Sequence, residues 1–316
     1  MKSQLGCLLV ALMVPVFLHA DEPPIKWRPI GPGGGGWLTA LAVDCSDSNL
    51  AYLGCDVGGF YKSTNGGRNW TIMNKGLTDY YVQDILPDPE DKNIIYLGMF
   101  GGLFKSTDGG ETWQWKRTGF PKPSAYSYSA PVSSLVMHPT DRQILYAGIG
   151  RPRKNSDGKG HIYTSTDAGE TWHLLDGIAK YASDAVIHRL AIRPDDPNVL
   201  FAATDKGLFK SSDAGVTFQQ REEGLPHRFC RNVAVSPSKP NVMYVVMWST
   251  HVKEPWHGGV YRSDDGGDTW VARNTGLPQK VADPRYSGHL CTSGAFEKCR
   301  GRFHCAKQSL GKGDAM

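Results

Sequence analysis

Ser63-Thr64-Asn65-Gly66-Gly67-Arg68-Asn69-Trp70 decides the fold, because the chain writes the same pattern four more times. It returns at Ser106–Trp113, Ser165–Trp172, Ser211–Phe218 and Ser263–Trp270, always as S-x-[DN]-x-G-x-x-[WF]. The serines stand 43, 59, 46 and 52 residues apart, a period that belongs to propeller blades. The chemistry inside each copy is that of a tight turn. The Ser and Asp oxygens accept hydrogen bonds from turn amides. The glycine permits a positive φ. The aromatic three residues later returns to pack between neighbouring sheets. A feature present in every repeat is scaffold, not a single active site.

Working outward, each copy is preceded by an apolar strand carrying an aromatic: Tyr52, Tyr96, Tyr146, Phe201 and Tyr244. Further upstream lies another strand, as at Leu38–Val43, and between the two sits a polar turn such as Pro194-Asp195-Asp196-Pro197-Asn198. Each unit therefore reads as four short strands, A to D, with the motif at the C–D turn. The expected fold is all-β: a β-propeller of four-stranded antiparallel blades, five recognisable, with a sixth or seventh left open. Trp27-Arg28-Pro29-Ile30-Gly31 resembles the D-strand segments and is expected to complete the last blade, which would remove exposed sheet edges.

The ends read differently. Residues 1–20 carry Lys2, an apolar run from Leu8 to Leu18 and a small Ala20, the pattern of an export signal. The run is too short to span a bilayer, and no membrane span is expected. Residues 21–277 are assigned to the propeller, and 278–316 to a divergent or incomplete C-terminal segment. That last segment holds seven Lys/Arg against three Asp/Glu, so it accounts for the whole formal charge of +4. The rest is close to neutral, which argues against a nucleic-acid partner. The expected location is secreted or periplasmic. Cys291, Cys299 and Cys305 fall in the tail with His289 and His304, at spacings that match no common zinc pattern. Neither a metal nor a cofactor is expected, and the chain has no G-x-S-x-G elbow, P-loop or H-E-x-x-H.

Strand parity locates the working face. Successive turns of a meander alternate between the two faces of the disc, so the motif turns share one face with the A–B turns. The B–C and D–A loops occupy the other, which is the expected ligand face. The B–C loops vary, with insertions near Arg151–Gly160 and Ser249–Gly258, the second containing Trp248, His251, Glu254, Trp256 and His257 at or beside it. Counting four residues on from each strand-B aromatic gives rim positions Asp56, Phe100, Gly150, Asp205 and Trp248; counting back from the motif shifts Asp205 by one against Asp56. The D–A loops hold Tyr80, Tyr81, Tyr126, Tyr128 and Tyr181. Strand A begins with the polar pairs Gln83-Asp84, Ser133-Ser134, His188-Arg189 and Arg231-Asn232, with Thr39-Ala40 in the first unit. Aromatics beside carboxylates suit a saccharide, whose C–H faces stack on rings. Tyr80, Tyr81, Tyr126, Tyr128, Trp248 and Trp256 are the candidate substrate-binding residues.

The first unit is the most specific. Gly33-Gly34-Gly35-Gly36-Trp37-Leu38-Thr39, followed by Cys55-Asp56-Val57-Gly58-Gly59-Phe60-Tyr61-Lys62, resembles the N-terminal propeller of the xyloglucan-degrading enzymes of glycoside hydrolase family 74. There the second element reads T-D-[VI]-G-G-x-Y-[RK]; here Cys55 replaces the threonine. The other units match the broader Asp-box class, which includes sortilin-type receptors, sialidases and photosystem II assembly factors. A sialidase would need three convergent arginines, a Tyr nucleophile with a carboxylate partner and an early F/Y-R-I-P element, and Trp27-Arg28-Pro29-Ile30 is scrambled relative to that element, which argues against a sialidase. The family resemblance implies that Asp56 is one of two catalytic carboxylates of an inverting hydrolase acting on β-glucan, with the second supplied by another propeller. Asp84, Asp205 or Glu254 are candidates for that second role within this chain. The alternative function is a non-catalytic propeller binding a protein or polysaccharide on the same face.

Overall fold

The five motif copies close five C–D turns. The computed structural model describes residues 36–121, 130–150, 161–248 and 258–277. Blade I is β1 (Leu38–Val43), β2 (Ala51–Cys55), β3 (Gly59–Ser63) and β4 (Thr71–Ile72). Blade II is β5 (Val82–Pro87), β6 (Ile95–Met99), β7 (Gly102–Ser106) and β8 (Gln114–Lys116). Blade III is β9 (Val132–Met137), β10 (Leu145–Ile149), β11 (Ile162–Ser165) and β12 (His173–Leu175). Blade IV is β13 (Ile187–Ile192), β14 (Leu200–Thr204), β15 (Gly207–Ser211) and β16 (Gln219–Gln220). Blade V is β17 (Cys230–Val235), β18 (Met243–Met247), β19 (Gly259–Ser263) and β20 (Val271–Ala272). Every sheet is an antiparallel four-stranded meander in sequence order, and together they form a β-propeller.

Strand A is innermost. β1 packs on β5, β5 on β9, β9 on β13 and β13 on β17; among the described residues no comparable packing joins β17 back to β1. All five residues of β2, β6, β10 and β14 are buried, as befits a strand covered on both faces, whereas Tyr244 and Val246 of β18 are half-buried. The aromatic of the second to fifth motifs reaches back onto the preceding blade, whereas Trp70 packs within blade I. Trp113 of blade II meets Phe60 of blade I edge-on, with centroids 4.9 Å apart, and its Nε1 donates to the Met73 carbonyl at 2.8 Å. Trp172, Phe218 and Trp270 likewise enter clusters shared with blades II, III and IV.

The turns behave as their chemistry dictates. Ser106 Oγ accepts from the Gly110 amide at 2.8 Å and donates to Asp108 Oδ1 at 2.7 Å, while Asp108 Oδ1 accepts from the Thr112 amide at 2.9 Å. The same set recurs around Ser165, Ser211 and Ser263.

The signal-like segment, Trp27–Gly31 with its expected closing strand, most of the second B–C insertion with Glu254 and Trp256, the first insertion, Tyr126, Tyr128 and residues 278–316 lie outside the described residues.

Candidate functional site

The two faces are separated by hydrogen bonds that repeat blade by blade. On one face, each motif turn donates to its A–B turn: Gly66 to the Asn49 carbonyl, Gly109 to Asn93, Ala168 to Gln143, Ala214 to Asn198 and Gly266 to Asn241. On the other, the residue after strand B is tied to the residue before strand A. Asp56 N donates to the Trp37 carbonyl, Phe100 to Tyr81, Gly150 to Pro131 and Trp248 to Phe229. These are the counted rim positions, each joined to a D–A partner.

The carboxylates on that rim are held as follows. Asp56 Oδ1 accepts from the Trp37 amide at 2.7 Å. Gly36 must be glycine for this to happen: its φ is +108° and a Cβ would lie 2.5 Å from Asp56 Oδ1. Asp205 Oδ1 accepts from the Val186 amide at 2.8 Å. Trp37 and Val186 occupy the same place relative to strand A, so Asp56 and Asp205 are structural equivalents, which settles the one-residue ambiguity in favour of the count from strand B. Asp84 lies deeper. Its Oδ1 pairs with Arg189 Nη1 at 3.0 Å and its Oδ2 accepts from the Leu135 amide at 2.7 Å, with both side chains 6% exposed. It therefore ties blades II, III and IV at the axis. The three described candidate carboxylates are each committed to a different partner. Asp79, in the D–A loop of blade II, is a fourth acid that the sequence reading passed over. It accepts from the Tyr81 and Gly101 amides at 2.7 and 2.6 Å, and burial pushes its carboxyl above the ordinary value despite those bonds.

The aromatics divide into rim and surface. Tyr81 packs edge-on to Phe100 at 4.3 Å, and Phe229 packs on both His188 at 5.4 Å and Trp248 at 6.0 Å. Tyr80 is 50% exposed, Tyr181 62% and Trp37 63%, all on the B–C/D–A face. An open cleft of about 210 Å³ lies on this face of blade IV, lined by Tyr181, Asp184, Asp205, Lys206, Phe209, Gln220 and Arg228. Lys206 pairs with Asp184 at 2.9 Å across it, and Arg228 with Glu222 at 2.8 Å. Phe229 and Trp37 also stand on this rim and were not among the candidates; the signal was an aromatic two residues before the polar start of strand A.

A second regularity surrounds the axis. Strand A carries a bulge at the same place in all five blades, and the residue left out of register is Thr39, Gln83, Ser133, His188 or Arg231. A bulge re-aims its side chain out of the pleat. Thr39 Oγ1 donates to the Val82 carbonyl and Ser133 Oγ to the Ile187 carbonyl, in each case on the next blade.

With this geometry in place, the chain can be set beside known proteins. A xyloglucanase of Hypocrea jecorina is 23% identical over 277 residues, covering 85% of this chain and 25% of the relative. Xyloglucanase Xgh74A of Acetivibrio thermocellus is 27% identical over 278 residues, covering 79% and 27%. This chain resembles xyloglucanases. It spans about a quarter of the length of those curated relatives. Among solved structures, an ancestral GH74 enzyme superposes with a TM-score of 0.64 at 22% identity, covering 84% of this chain and 35% of the other. YCF48 bound to D1 peptide superposes at 0.51 and 14% identity, covering 76% and 68%. These likenesses show a shared propeller fold. The sortilin (neurotensin receptor 3) Vps10 family model matches residues 58–183, across blades I to III. Among the described residues no helix is long and apolar enough to cross a membrane.

Proposed function

We propose that this chain is an exported glycan-binding propeller of the xyloglucanase type, taking a polysaccharide on the B–C/D–A face. The observation that carries the reading is the placement of Trp37, Tyr80 and Tyr181, three widely exposed rings, on the same face as the Asp56 and Asp205 rim carboxylates. Rings of that kind stack on sugar C–H faces, and the carboxylates accept from sugar hydroxyls. The resemblance to xyloglucanases supports the substrate class, and the signal-like residues 1–20 support export.

Hydrolysis by inversion requires an acid and a base roughly 6.5–9.5 Å apart with room for water. Asp56 is the proposed member of such a pair from the family-like segment. Asp84 is proposed as structural, since its charge is consumed by Arg189 and the Leu135 amide. Asp205 repeats the backbone bond of Asp56 and belongs to the cleft.

The test is affinity electrophoresis of the purified full chain in xyloglucan, with hydrolysis followed in parallel. Tyr181→Ala is expected to weaken retention about tenfold, the loss of one stacking contact of about 1.4 kcal/mol. Turnover that vanishes in Asp56→Asn assigns catalysis to this chain; retention without turnover assigns a binding module. A chain that neither xyloglucan and other β-glucans nor acidic polysaccharides retard refutes the proposal.

A further inference from the structure

The five bulge positions are equivalent in backbone but not in chemistry. In blades I and III they hold Thr39 and Ser133, short hydroxyls spent on stapling the next blade. In blades II, IV and V they hold the longer donors Gln83, His188 and Arg231. Arg231 Nη1 sits 3.0 Å from His188 Nδ1, and its guanidinium lies 5.2 Å from the Trp248 ring centroid. No carboxylate pairs with it among the described residues, although Arg189, the other arginine on an innermost strand, has Asp84. Arg231 Nε and Gln83 Nε2 are buried without a hydrogen-bond partner among the described residues. Desolvation lowers the Arg231 pKa, partly offset by the nearby Tyr81 of blade II.

Arg231 is half-buried, and withdrawing a guanidinium from water without an anion is costly, because the desolvation of the charge is uncompensated. Its planar fork matches a carboxylate. Arg228 lines the cleft of blade IV, and the ring of the adjacent Phe229 packs at a tilt on His188 and Trp248. One short stretch of chain thus leads from the cleft to Arg231. We infer that Arg231, with Gln83 as a second long donor at the equivalent bulge of blade II, binds the carboxylate of an acidic saccharide, so that the glycan taken by this face carries a uronate. This deepens the glycan reading above and rests on it.

The experiment is isothermal titration of the full chain with trigalacturonate, with the same trisaccharide after carboxyl reduction, and with a xyloglucan oligosaccharide. The expected result is about tenfold tighter binding of trigalacturonate than of its reduced form, as for a hydrogen-bonded charge pair. In Arg231→Gln that preference is expected to disappear, and in Arg231→Lys to be partly kept. Equal affinity for the two trisaccharides overturns the inference on the unaltered protein, whether or not the variants fold. Preference surviving Arg231→Gln in a variant with native circular dichroism overturns it as well. If xyloglucan binds while the acidic and reduced probes do not differ, this inference falls and the glycan reading stands. If no saccharide binds, both fall. A peptide with a free C-terminal carboxylate that displaces trigalacturonate, and loses this ability on amidation, overturns the saccharide assignment.

Discussion

At the scale of single residues, the motif aspartates are the best-defined charges in the molecule. Partial desolvation raises the Asp108 carboxyl, but the Thr112 hydroxyl and amide, Ser106 and the Glu111 amide outweigh it and hold it at about 2. Asp167 sits at about 2 for the same reasons, with Thr171, Ser165 and the Glu170 amide as donors. An unfolded Asp titrates near about 3.9. A depressed folded value means that the stabilisation is complete above the unfolded value and is lost as the pH falls toward the folded one. The protein is therefore expected to lose stability steeply between about pH 4 and pH 2. The double variant Asp108→Asn/Asp167→Asn should show a shallower loss across that window in thermal melts. Blade I shows that the amide fits the turn, since Asn65 Oδ1 accepts from the Asn69 amide at 2.9 Å. An unchanged slope would mean that other carboxylates govern acid unfolding. These roles were legible in advance, because the turn is local and its donors lie within four residues of its acceptors.

At the scale of elements, the join between blades is as regular as the blades. After strand D of blade II, Gly119 adopts φ +95°, and a Cβ there would lie 1.8 Å from the Trp172 carbonyl of blade III. Gly276, its counterpart in blade V, has φ +83° and meets nothing within 4 Å among the described residues. Both positions strain an alanine by about 1 kcal/mol through φ alone. Only Gly119 adds a collision with backbone that cannot move without parting two blades. Gly119→Ala is expected to destabilise the chain by at least ~3 kcal/mol in urea denaturation, and Gly276→Ala by ~1 kcal/mol. Comparable losses would mean that the two joins are not distinguished by packing. The strand order, the motif turns and the reach of the aromatics followed from the sequence pattern. The bulges did not, because a one-residue register shift leaves no mark in an alternation as short as six residues.

At the scale of the whole molecule, the axis is held by an ion pair between blades two apart. Asp84 and Arg189 are buried side by side, and the Leu135 amide of the intervening blade completes the carboxylate's shell. Removing one partner strands the other. Asp84→Ala and Arg189→Ala are each expected to cost about 3–5 kcal/mol, and the double variant less than their sum. Additive losses would show that the pair is not coupled. If Asp84 were instead a working acid, its loss would abolish turnover with little change in stability.

Sequence alone determined that the chain repeats a four-stranded unit, where each unit turns, and which loops share a face, because those properties depend on contacts between near neighbours along the strand. Tertiary structure alone decided that Asp84 is consumed by Arg189, that Asp56 and Asp205 are equivalents, and that Arg231 stands beside His188 and Trp248 without an acid among the described residues. Those facts depend on side chains brought to one axis from separate blades, and no spacing along the chain encodes which of them will meet.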